Sequence, residues 1–205
     1  MEKVRFTKGE LKRQRDALRQ YQRYLPTLQL KKQQLQIEIL QETVSLEEKL
    51  RSESTKTKSA ESWVGLLTDK SISLNPWIKP KRVLTKARNI AGVDVPVFET
   101  VELDTAEYDL FTTPLWVDAA LEALRSLVSL REEIKVIEQG LKILKQELRT
   151  TAQRVNLFEK VKIPEAEEAI RRIKIYISDQ MANAVGRSKA AKRKIEMLQL
   201  TEAFA

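Results

Sequence analysis

Apolar residues in the second half of the chain recur at alternating spacings of three and four: Ile134, Ile137, Leu141, Leu144, Leu148, Val155 and Phe158, with Thr151 filling the one slot that is not strongly apolar. This is the pattern of a coiled-coil seam, a stripe on one helix face that needs a second helix to cover it. The first arm carries a related series, Leu11, Leu18, Leu25, Leu28, Leu35, Ile39 and Leu46, interrupted by Lys32 and Glu42. Thr7-Lys8-Gly9-Glu10 has the form of a capping box, in which the Thr7 hydroxyl accepts an amide proton and Glu10 reaches back to the cap, so a helix is expected to start there. Pro26 removes a helical hydrogen bond at a cost of about 3 kcal/mol and is expected to kink the helix without stopping it. Arg51 to Ser59 contains no apolar residue, so a helix through it is expected to be solvated on all sides or weakly formed. Asn75-Pro76 and Lys79-Pro80 are expected to end the arm.

Beyond those prolines the period changes from helical to strand-like. Val93, Val95 and Val97 alternate with Asp94 and Pro96, and Arg82 to Asn89 can supply a partner strand. A three-residue loop, Ile90-Ala91-Gly92, with Gly92 in the left-handed position would set Arg88 opposite Asp94. Thr113 and Pro114 suit the cap and first position of a second long helix, with Asp118 near its positive end. In that helix Phe158 to Ala166 takes two steps of four before Ile170, Ile173 and Ile177 resume, which predicts a local unwinding of the supercoil. Pro164 is expected to bend the helix without ending it. The fold class is therefore mainly α, a long antiparallel two-helix coiled coil made by the N- and C-terminal arms, with a short β-hairpin between them. The expected division is residues 1–75 for the N-terminal arm, 76–112 for the hairpin and its connections, and 113–205 for the C-terminal arm. About 60 paired residues at ~1.5 Å each give a rod on the order of 90 Å long.

The composition turns attention from chemistry to contact. Five glycines and 6% aromatic residues in 205 suit long helices. The chain has no His and no Cys, the side chains used most for base catalysis near neutral pH, thiol chemistry and transition-metal ligation. Its glycines are too dispersed for a phosphate-cradling loop. No enzyme activity, cofactor or metal is expected. No apolar run approaches a membrane span, and the opening Met1-Glu-Lys-Val-Arg lacks a signal core, so a cytoplasmic location without direct membrane insertion is expected. The net charge of +8 calls for an acidic or anionic partner. Nucleic acid is the weaker choice, because the basic residues lack interleaved aromatics and no helix-turn-helix, zinc or RNA-binding motif is present.

More specific than the periodicity are Arg154-Val-Asn-Leu-Phe-Glu159, Ile163-Pro164, Ile170 and Arg171-Arg-Ile-Lys174, together with the loop Asn89-Ile-Ala-Gly-Val-Asp-Val-Pro96. These segments resemble the D subunit of the V-type and archaeal-type rotary ATPases, and with the leucine- and Lys/Arg-rich first arm the likeness covers nearly the whole chain. It departs from the family pattern at Pro26 and at Asp179-Gln-Met-Ala-Asn-Ala-Val-Gly186. The resemblance implies a non-catalytic central rotor shaft, coupling ATP synthesis or hydrolysis to proton or sodium transport. It would sit within the ring of nucleotide-binding A and B subunits, catalytic and non-catalytic, associate with the small central-stalk F subunit, and meet the membrane ring through a socket subunit, peripheral to the membrane. The alternative with the same fold is a cytosolic coiled-coil adaptor or chaperone-like rod.

Charge is segregated along the expected rod. Lys8, Lys12, Arg15 and Arg19 of the first arm and Arg187, Lys189, Lys192, Arg193 and Lys194 of the second would share one basic tip, which is the expected contact with the catalytic ring. Asp94, Glu99, Glu102, Asp104, Glu107, Asp109, Asp118 and Glu122 would make the hairpin end acidic. Trp63, Trp77, Phe98, Phe111 and Trp116 cluster in mid-sequence, where a small β element has little core to hide them, so Trp77, Val95, Phe98 and Trp116 are candidates for a partner surface at the hairpin end.

Overall fold

The computed structural model describes residues 5–65, 74–105 and 113–203, with side chains as far as Gln199. Glu107, Asp109 and Phe111 of the acidic and aromatic sets lie outside the described residues. The described residues are 80% helical. Helix α1 is Lys8–Glu61, a short α2 is Asn75–Ile78, strands β1 and β2 are Pro80–Ile90 and Val93–Leu103, and α3 is Trp116–Leu157. A π-helical turn, Phe158–Lys162, leads directly into α4, Ile163–Ala203. Two compact units result, one from Met1–Gln29 with Gln153–Ala205 and the other from Leu30–Ala152.

In the unit of residues 30–152, α1 and α3 run antiparallel. Lys31 pairs with Glu147 at 2.9 Å, Lys49 with Glu133 at 2.8 Å and Glu53 with Arg131 at 3.0 Å, so residue numbers rise along one helix as they fall along the other. Such pairs are worth about 0 to 1 kcal/mol each, and they mark register more than they supply stability. The larger driving force is apolar burial: Leu35 and Leu144 are both 0% exposed and share a cluster with Ile90 and Val95 of the hairpin, flanked by Ile39, Ala91, Val93 and Leu148. A separate cluster joins Leu74, Val117 and Leu121 to Trp77, Ile78, Trp116 and Leu124.

The unit of residues 1–29 and 153–205 pairs the start of α1 with the end of α3, the π turn and α4. Phe6 packs on Tyr176 with ring centroids 5.1 Å apart, and Tyr21 stacks on Phe158 at 5.4 Å. Val155, Ala166, Ala169, Ile170 and Ile173 are buried on the facing side. Pro26 lies inside α1, which continues past it, and Pro164 lies inside α4.

Several expectations need correction. Helix α1 ends at Glu61, well before Asn75-Pro76. It does pass through the apolar-free stretch, where Thr55, Thr57 and Ser59 donate their hydroxyl protons to the carbonyls of Arg51, Glu53 and Thr55. At the start of α1 the Glu10 amide donates to Thr7 Oγ1 at 3.2 Å, but the reciprocal half of the box is missing: the Thr7 amide donates to the Arg5 carbonyl and the Glu10 carboxylate accepts from Gln14. Helix α3 begins at Trp116, with the Val117 amide bonded to the Pro114 carbonyl in a turn that keeps proline ahead of the helix. The hairpin loop has two residues, Ala91 at φ 51° and Gly92 at φ 77°, the positive pair that a type I′ turn requires. The register moves by one: Asn89 faces Asp94 and donates to its carboxylate at 2.7 Å, while Arg88 faces Val95. One residue of slip exchanges the faces of β1, so that Arg88 and Ile90 accompany Val95 and Val93 in place of Ala87.

The register change after Phe158 also has a more local cause than a four-residue stutter. Phe158 to Ala166 is one residue longer than a three-plus-four step, and the π turn takes up that residue through the bond from the Ile163 amide to the Phe158 carbonyl. A wider turn also gives room to the Pro164 ring, which in an α-helix would meet the carbonyl one turn back.

Candidate functional site

Among the described residues no cluster of His, Cys, Asp or Glu is arranged to hold a metal ion, so the candidate sites are surfaces. The seam is placed by the helices as follows. Leu35, Ile134, Leu141, Leu144, Thr151 and Val155 are buried, and Leu11, Leu18, Leu28, Ile137, Leu148 and Phe158 are half-buried along the same stripes. The partial exposure of the first-arm leucines follows from geometry, since one partner helix covers only one side of a helical stripe.

Every described side chain from Ser178 to Gln199 on α4 is exposed. Phe6 against Tyr176 fixes where the start of α1 meets α4. Arg187 begins about 16 Å further along α4 at ~1.5 Å per residue. Lys8, Lys12, Arg15 and Arg19 are exposed on α1 at the paired level, whereas Arg187, Lys189, Lys192, Arg193 and Lys194 are exposed further along α4. The two basic groups belong to one compact unit at different axial levels. Weak ion pairs temper them, Arg19 with Asp16 at 3.9 Å and Lys192 with Glu196 at 3.7 Å.

The four residues expected at the hairpin end do not form one patch. Val95 is inside the cluster with Leu35 and Leu144, Phe98 lines a hollow beneath the hairpin, and Trp77 and Trp116 pack on Leu74, Val117 and Leu121. Acidic residues there are matched to neighbouring cations, Glu99 with Lys86 and Asp104 with Lys81.

A feature not anticipated from sequence is an apolar stripe on the outer face of α1. Leu30, Ile37, Leu40 and Val44 are 51–69% exposed. At ~100° per residue they fall within an arc of about 80° centred opposite Leu35, so they point away from α3. The spacing of these four residues in the chain is that of a second stripe on the same helix.

The strongest electrostatic cluster lies on α4. Glu168 accepts from Arg171 Nε and Nη2 at 2.8 and 2.9 Å and from Arg172 Nε at 2.8 Å. The Arg171 hydrogen bond first, and then that of Arg172, lower its pKa from 4.5 to about 2. Because the folded value is depressed, the contribution of this cluster to stability is complete above the unfolded carboxylate range and is lost as pH falls through about 2. We expect a carbon-detected titration of the Glu168 carboxylate to show that low midpoint in the wild type and one near 4.5 in Arg171→Ala/Arg172→Ala. A midpoint near 4.5 in both would mean that the fork is not formed in solution.

The family model for the ATP synthase D subunit matches residues 10–193. The V-type ATP synthase D subunit of Borreliella burgdorferi is 42% identical over 192 residues, covering 94% of this chain and 95% of that protein. The protein of the same name from Chlamydia pneumoniae is 35% identical over 199 residues, covering 95% of this chain and 94% of that protein. With the hairpin, α3 and most of α1 and α4 inside the matched span, the chain belongs to the family of ATP synthase D subunits.

Proposed function

We propose that this chain is the central-stalk rotor shaft of a V/A-type rotary ATPase, transmitting torque between the nucleotide-binding ring and the membrane ion-translocating ring. The observation that carries the reading, given the family, is the exposed basic end of α4, a helix that continues past its last aromatic contact with α1. An exposed cationic helix end suits insertion into a ring of A and B subunits, where individually weak ion pairs of about 0 to 1 kcal/mol can be exchanged as the shaft turns. The small F subunit and a socket subunit on the membrane ring complete its set of partners. The apolar side chains kept on the outer face of α1 fit a protein packed among others. No described helix is long and apolar enough to cross a membrane, which suits attachment through the socket subunit. Nucleotide chemistry belongs to the ring, and the work of this chain is mechanical.

The test is reconstitution of the complex with and without this chain. We expect omission to leave a ring that hydrolyses ATP without moving ions, and restoration of the chain to couple the two. Ion transport that is fully coupled in its absence would overturn the reading.

A further inference from the structure

The hairpin lies on α3 at a glycine. A Cβ built on Gly140 would stand 2.8 Å from Val95 Cγ1 and 3.7 Å from the Pro96 carbonyl oxygen. The first distance is far inside ordinary van der Waals contact, so β2 reaches its position because residue 140 has no side chain. Only the turn end is seated in this way. Ile90 and Val95 are the buried residues of the two strands, whereas toward the base Val83, Leu84, Phe98 and Val101 are half-buried and Lys81, Arg82, Thr85 and Lys86 exposed. Beside the Gly140 contact, Val95, Phe98, Glu42, Glu133 and Ile137 border a hollow of about 210 Å³, so the hairpin is not close-packed there. At its base Arg125 donates to the carbonyls of Trp77 at 3.2 Å and Asp104 at 2.6 Å. Between seat and base the register shifts at Leu84/Thr85, which leaves Glu99 outside the backbone pairing, with its carboxylate 3.8 Å from the Lys86 ammonium across the strands. A bulge of this kind is a point where a ribbon bends.

We propose that the hairpin is a releasable element of the fold and that Gly140 is the residue positioning it: the seat holds Val95 by clearance, and the turn half can lift from α3 about the Glu99 bulge while α1 and α3 stay paired. The helices have their own fastenings in Lys31–Glu147, Lys49–Glu133 and Arg131–Glu53, and only Arg88 with Glu38 ties the seated half to α1 by an ion pair, at 2.8 Å, among the described residues. Lifting uncovers Leu144 and Leu148 on one side and Ile90 and Val95 on the other. Release of the hairpin does not depend on the rotary role.

The experiment is amide hydrogen exchange on the full chain as Gly140→Ala, Val95→Ala and the double variant. Alanine ordinarily strengthens a helix interior relative to glycine. In Gly140→Ala the amides of Ile90, Val93 and Val95 should nonetheless exchange about tenfold faster or more, with α3 amides around Leu141 and Leu144 at wild-type rates, because overpacking is relieved by the element that can move. Val95→Ala/Gly140→Ala should recover most of the hairpin protection relative to Gly140→Ala. The proposal is overturned if Gly140→Ala leaves the hairpin at wild-type protection, if α3 loses protection with it, or if the double variant shows no recovery.

Discussion

Leu144→Ala is expected to lower the stability of the isolated chain by about 2 to 5 kcal/mol, because it opens a cavity where a fully buried side chain meets both α1 and the hairpin. Ile173→Ala, at 0% exposure on α4, should cost a similar amount. Leu141→Ala and Leu148→Ala belong to the same stripe, and the triple change with Leu144→Ala should loosen the pair far enough for an assembled complex to slip. Ile37→Ala supplies the contrast: it lies on the outer stripe, and its effect on the isolated chain should stay within about 0.5 kcal/mol. Chemical denaturation measures all of them. Equal midpoints for Leu144→Ala and Ile37→Ala would show that the inner and outer faces of the pair have been interchanged.

Reversing Lys12, Arg15, Lys192 and Arg193 together to Glu should weaken assembly with the catalytic ring by about 100-fold or more, since four modest attractions become repulsions of comparable size. Association should slow as well, because charge steers the encounter. Raising salt should erase most of the difference between wild type and variant, as the Debye length contracts to about 3 Å at 1 M. Splitting the set is informative because the two pairs sit at different levels. Under the proposed role Lys192→Glu/Arg193→Glu should carry the larger loss, lying further along the pair than Lys12 and Arg15. Normal assembly and ATP-driven rotation of the fourfold variant, together with failure of matching changes at Asp94, Glu99 and Asp104, would invert the proposed orientation.

The contrast between what the chain announces and what it conceals follows the range of the forces involved. The seam from Ile134 to Phe158 was legible because a helix repeats its face every three or four residues, and burial acts on each repeat alike. The end of α1 was not, since Arg51 to Ser59 carries no apolar signal, and its helix is held by hydroxyl-to-carbonyl bonds and by Arg131 on Glu53, a residue distant in sequence. The hairpin was legible as an alternation of valines, yet its loop was misjudged by one residue. Alanine is an unusual occupant of a positive φ, so a loop with Gly92 alone left-handed was the less strained reading. Of the candidate surfaces, the basic residues could be named in advance, but their separation along the pair depends on where Phe6 meets Tyr176. The seat at Gly140 could not be seen at all, because a glycine inside a helix gives no hint of which neighbour approaches it.

The π turn has a consequence for how the length of this chain can change. Adding or removing one residue within an α-helix rotates everything beyond it by about 100°, which in most of α3, or in α4 ahead of Ile173, would carry a buried face into water. Between Phe158 and Lys162 one surplus residue is already held out of the helical count. A deletion there turns the wide turn into an ordinary one and leaves Val155 and Ile173 on the same side, whereas the same deletion between Ala166 and Ile173 would turn Ile173 outward. Single-residue gaps between this chain and others of its family should therefore collect at Phe158–Lys162 and be scarce in α3 and in α4 as far as Ile173.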